Sequence, residues 1–145
     1  MSKTFTLSEA QTLLPVLESL LQRARTSALQ GAQLELEMHQ LNHRIFLSGG
    51  MHVDVAVAAR RRAKRDKAGQ EARDTIAEIE AIGARVHDLE EGMLDFPSQM
   101  EGRPALFCWK LGEGAIAHWH GLEAAPEERK PLDTSFCKGE RDRLN

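Results

Sequence analysis

Residues 15–50 read PVLESLLQRARTSALQGAQLELEMHQLNHRIFLSGG. Within this stretch Leu17, Leu20, Ala24, Ser27, Gly31, Leu34, Met38, Leu41 and Ile45 advance by alternating steps of three and four. That is the spacing of a helix-helix seam. A helix of some 30 residues is about 45 Å long and needs a partner helix to cover its stripe. Ser48-Gly49-Gly50 is the stop signal. A second helix starts between Val53 and Ala58 and carries a weaker beat of Ala58, Ala68, Ala72, Ile76, Ile79 and Ile82. Gly83 is its C-terminal cap. A short connection between two such helices predicts an antiparallel helical hairpin. A turn centred near residue 50 sets Gly31 opposite Gly69. Either the small residues let the backbones approach closely there, or the two glycines are tolerated at about 1 kcal/mol each.

Upstream, Thr6 and Glu9 form a capping box. Pro15 removes a helical hydrogen bond. The expectation is a short N-terminal capped helix to about Thr12, then a break or kink, with Pro15 in the first turn of the long one. Downstream of Gly83 the period shortens. Val86–Leu89 and Met93–Phe96 read as short strands around a Glu91-Gly92 turn, the second ended by Pro97. Pro104–Lys110 and Ala115–His120 flank the turn Gly112-Glu113-Gly114. The predicted fold is α+β: a long antiparallel helical hairpin with a short N-terminal capped helix, followed by a small antiparallel β-meander. Residues 1–132 form a single domain, with helices over about 7–82 and strands over about 86–120. Residues 133–145 form a polar C-terminal tail.

The chain has 145 residues, 41% apolar and 28% charged, enough for one core. With five Phe, two Trp and no Tyr, that core must be largely aliphatic. No apolar run reaches the roughly 20 residues of a membrane span. The opening Met1-Ser2-Lys3-Thr4-Phe5 lacks a signal-peptide layout. The expectation is a cytoplasmic protein without membrane contact, in which Cys108 and Cys137 stay reduced. The net charge of −3 recruits no polyanion. The run Arg60–Lys67 holds six basic residues and one acid, but Glu71–Glu101 holds nine acids against Arg73 and Arg85. No aromatic residue interrupts the basic run for base stacking. Nucleic acid is therefore not an expected partner. Such runs serve as solvated faces or as salt-bridge partners of a neighbouring subunit. The length of the helices predicts a homo-oligomer, most simply a two-fold dimer.

His39 and His43 share a helix face one turn beyond Glu35, a spacing that can hold a metal. On a long helix it equally describes two exposed histidines. Asp88, Glu90, Glu91 and Asp95 cluster near turns, where turn chemistry explains them. No phosphate loop, Cys-x-x-Cys pair or nucleophile elbow occurs. In the last hairpin a turn centred on Glu113 puts Phe107, Trp109, Ala117 and Trp119 on one face. Leu106, Cys108, Ile116, His118 and His120 fall on the other. Cys108 then lies opposite His118, with His120 diagonal to it. One thiolate and two imidazoles suit zinc or iron. The candidate ligands are Cys108, His118 and His120, with Asp95 or Glu113 replacing one or orienting an imidazole. A buried cysteine also packs without any metal. Two functional classes follow. One is a non-enzymatic oligomeric interaction module that works through the hairpin. The other is a small metal-binding protein or metal-dependent enzyme with its site on the sheet hairpin.

Several segments fall in a familiar order: Phe5–Ala10, Leu14-Pro15, Asp88–Gly92, Asp95-Phe96-Pro97, Gly102-Arg103, Cys108–Glu113 and Trp119-His120. Together they make residues 5–132 resemble the bacterial family catalogued as domain of unknown function 2203. The resemblance implies a small single-domain protein and carries no activity with it. It supports Cys108 and His120; at the position of His118 the family often has another residue, such as Tyr. Residues 121–132 depart from the Gly-Phe loop usual in the family.

Overall fold

The computed structural model describes residues 4–49, 54–122 and 129–132. Gly50 of the expected turn, Cys137 and the expected tail over 133–145 lie outside the described residues. The elements are α1 (Leu7–Leu47), α2 (Val55–Ile82), β1 (Arg85–Asp88), β2 (Met93–Met100), β3 (Arg103–Lys110), β4 (His118–Gly121) and β5 (Lys130–Pro131). The strands form one antiparallel sheet in the order β1-β2-β3-β4-β5. The fold is α+β, a helical hairpin followed by a β-meander. Among the described residues no helix is long and apolar enough to cross a membrane.

The capping box forms in both directions. Glu9 N donates to Thr6 Oγ1 at 3.1 Å, and Thr6 N donates to Glu9 Oε1 at 3.1 Å. The break expected after Thr12 does not occur, because α1 runs unbroken from Leu7 to Leu47 with Pro15 inside it. The capped turn is thus the first turn of α1. A mid-helix proline costs about 3 kcal/mol. Pro15 is exposed, whereas Leu14, Leu17, Leu20 and Leu21 around it are buried. Each buried leucine contributes roughly 1.5–3 kcal/mol, so the apolar face outweighs the lost hydrogen bond. Asp54 caps α2 by accepting from Ala56 N at 3.0 Å and Val57 N at 3.2 Å. Gly83, at φ 116°, ends that helix as expected.

The chain divides into two compact units, Met1–Gln22 with Ile76–Asn145, and Arg23–Thr75. In the first, Phe5, Leu14, Leu17, Leu21 and Ile79 pack with Leu94, Phe96, Phe107, Trp109 and Ile116. β2 continues through Pro97 to Met100, although Pro97 was expected to end it. The reason is topological. β1 pairs with β2 only as far as Asp95, so beyond that point β2 is an edge on the β1 side. A proline is tolerated at such an edge, and Phe5 N donates to Pro97 O at 2.7 Å. Glu101 and Gly102 join β2 to β3 with φ of 53° and 78°, the two-residue turn that matches strand twist. The last hairpin also differs from expectation. β4 begins only at His118, and Ile116 enters the core beside Trp109 rather than sharing the Cys108 face. Gln11 holds it there, accepting from Ile116 N and donating to Ile116 O, both at 3.3 Å.

In the second unit, Ala24 and Ser27 of α1 and Ala68, Ala72 and Thr75 of α2 are buried. A side-chain carbon added to Gly31 would meet Ala68 Cβ at 3.7 Å and Gly69 N at 3.8 Å. The helices therefore meet in the expected register. Those distances are ordinary van der Waals contacts, so the level would also accept alanine. Arg65 pairs with Glu35 at 2.9 Å across the two helices.

Candidate metal centre

Strand alternation builds the site. Asp95 on β2 stands opposite Cys108 on β3, which stands opposite His118 on β4. These residues face away from Leu94, Phe96, Phe107 and Trp109, which line the core. The Cys108–His118 pairing is the register expected from a turn at Glu113. His120 lies opposite Leu106, one step along the same face.

On this face Asp95, Cys108 and His120 converge, with one ligand atom from each within 4.8 Å of the others. Asp95 and His120 are 2% exposed and Cys108 is 0% exposed. His120 Nδ1 lies 2.9 Å from the Gly121 carbonyl, which only accepts, so Nδ1 carries the proton. Nε2 is then left facing Asp95 Oδ1 at 3.2 Å. A proton or a cation must lie between them. The other carboxylate oxygen, Oδ2, is 3.0 Å from His87 Nδ1. His87 sits where the β1–β2 register shifts between Val86 and Asp88. The bulge turns its ring toward Asp95. Burial, and after it the Asp95 carboxylate, pushes the Cys108 thiol up to about 11.

The raised thiol has a consequence for metal-free protein. The folded chain holds the Cys108 proton more tightly than the unfolded chain does. That stabilisation is complete below about pH 9 and is lost as pH rises through about 11. Urea titrations in chelator should therefore show wild type losing about 2 kcal/mol more than Cys108→Ala over that interval. Parallel pH profiles for the two proteins would contradict the assignment.

His118 stands apart from this cluster. Its Nδ1 is 2.5 Å from Arg129 Nη2 and 3.4 Å from Glu113 Oε2. Arg129 also binds Glu113 Oε2. Glu113 Oε1 accepts from Lys110 N at 2.8 Å. Glu113 therefore serves the loop and Arg129, while Asp95, expected either to replace a ligand or to orient an imidazole, stands with Cys108 and His120. Sequence reasoning missed His87 and Arg129. The strand period alone does not find His87, because a two-residue Glu91-Gly92 turn would set it opposite Phe96; the register shift brings it to the Asp95 face. Arg129 carries no strand signal either, because it lies beyond the strands expected over about 86–120. His39 and His43 are exposed, and Glu35 is engaged by Arg65. Asp88 closes its turn, accepting from Glu91 N at 3.0 Å.

A tetrahedral zinc with bonds of about 2.0–2.2 Å to N and O spaces those atoms about 3.3 Å apart. The 3.2 Å between His120 Nε2 and Asp95 Oδ1 is close to that edge. The proton on Nδ1, held by a carbonyl, is the arrangement that fixes a ligating histidine. His87 holds the free oxygen of the carboxylate in the same way. Thiolate, imidazole and carboxylate suit zinc or iron(II) better than calcium or magnesium. No curated protein and no solved structure matches the chain. A family profile described as "Uncharacterized conserved protein (DUF2203)" matches residues 3–132, and the chain belongs to that family.

Proposed function

We propose that the protein binds one divalent transition metal, zinc in first place, through Asp95, Cys108 and His120. The observation that carries this reading is the mutual approach of three buried donors of different chemistry. A purely apolar role would explain Cys108 but not a carboxylate and an imidazole beside it. Three protein ligands leave a fourth position for water or substrate, the arrangement of a metal-dependent enzyme. The interaction-module reading rests on the helical hairpin, where exposed charged residues along α2 favour it.

The test is elemental analysis of protein purified without an affinity tag. About one zinc or iron per chain is expected in the wild type. Cys108→Ser and His120→Ala should lose the metal, and His118→Ala should keep it. Metal-free wild type that takes up neither zinc nor iron(II) under reducing conditions would end the reading. Loss in His118→Ala with retention in Asp95→Asn would return the site to the ligand set expected from sequence.

A further inference from the structure

We infer that a second copy of this chain docks on α2 through a charged row that is complementary to itself. Arg60, Lys64, Lys67, Glu71 and Asp74 follow one another in steps of four, three, four and three, and all five are exposed. That is the spacing of a helix-helix seam, occupied here by charge instead of leucine. Three cations precede two anions. Within the row Arg60 and Lys64, Lys64 and Lys67, and Glu71 and Asp74 are like-charged neighbours on one helix face. Such pairs destabilise a lone helix. Among the described residues no ion pair reaches Arg60, Lys64 or Lys67. Glu71 meets Arg23 only at 3.8 Å, and Asp74 accepts from Gln70 Nε2 at 2.7 Å. α1 reaches this row only through Arg23 at Glu71, and α2 turns a different face to it, through Ala68, Ala72 and Thr75.

A two-fold axis at the level of Gly69 supplies it. Antiparallel pairing of two α2 helices sets Lys67 against the partner's Glu71 and Lys64 against the partner's Asp74. Symmetry repeats both contacts, giving four ion pairs. Parallel pairing sets like charge against like and is rejected. The lysine stems add apolar cover along the line of contact. A nucleic acid would satisfy only the cationic half, with Glu71 and Asp74 repelling it within two turns. A second copy satisfies both halves.

Sedimentation of the full chain at low and high salt tests the inference. Wild type should be dimeric at about 100 µM in low salt, and the dimer should weaken steeply with added salt. Lys64→Glu with Lys67→Glu, and separately Glu71→Lys with Asp74→Lys, should each weaken association about 100-fold at unchanged helicity. Mixing the two double variants should restore a dimer, as should all four substitutions in one chain. Wild type that stays monomeric at about 100 µM in low salt would overturn the inference. So would a dimer that survives either double variant, a mixture that fails to recover, or tighter binding to DNA or RNA than to itself.

Discussion

Asp95→Ala should lower the unfolding free energy of metal-free protein by about 3–5 kcal/mol, the cost of removing one partner from a buried polar pair. The carboxylate stands between two rings, 3.2 Å from His120 Nε2 and 3.0 Å from His87 Nδ1. His120 cannot turn to water, because it is 2% exposed and its other nitrogen is held by the Gly121 carbonyl. Asp95→Asn separates structure from ligation. An asparagine amide can donate to His120 Nε2 and accept from His87 Nδ1, keeping both contacts with neutral rings. That variant should lose about 1 kcal/mol or less and still bind no metal, since an amide is a far poorer ligand than a carboxylate. Urea denaturation paired with metal analysis reads both effects. An Asp95→Asn protein with full metal, or an Asp95→Ala protein as stable as wild type, would contradict the account.

Trp109→Ala should cost about 3–5 kcal/mol, as for other large buried aromatics. Trp109 is 0% exposed at the centre of the sheet side of the core. Its Nε1 donates to Glu113 O at 2.9 Å, which ties the β3–β4 loop to the core. Trp109→Phe keeps most of the apolar area and removes only the donor, at about 1–3 kcal/mol for the stranded carbonyl. The difference between the variants isolates packing from loop closure. Denaturation midpoints for both within about 1 kcal/mol of wild type would mean that the core does not depend on this side chain.

Long-range order was legible where periodicity was strong. The helical seam, the caps at Thr6 and Gly83, and the Cys108–His118 register followed from spacing alone. Local breakers misled wherever tertiary context overruled them. Pro15 reads as a break until the leucines flanking it are seen buried, and Pro97 ends a strand only if a neighbour needs its N–H. Ile116 left its strand face because Gln11, 105 residues away in sequence, holds its backbone. The candidate centre was half legible. Cys108 and His120 share a face by parity, but the choice between His118 and Asp95 as third donor depends on where Arg129 lies. No local pattern encodes that position.

The three donors of the proposed centre come from β2, β3 and β4, in that order along the chain. A nascent polypeptide that has emerged only as far as Lys110 already carries Asp95 and Cys108, yet it lacks the imidazole. Ligation therefore waits until the fourth strand has docked, the last step in assembling the metal-binding face of the sheet. A chain arrested or clipped before His120 would lack one of the three donors and be unable to hold the ion in this way. Metal occupancy would then distinguish chains that extend through the fourth strand from shorter ones.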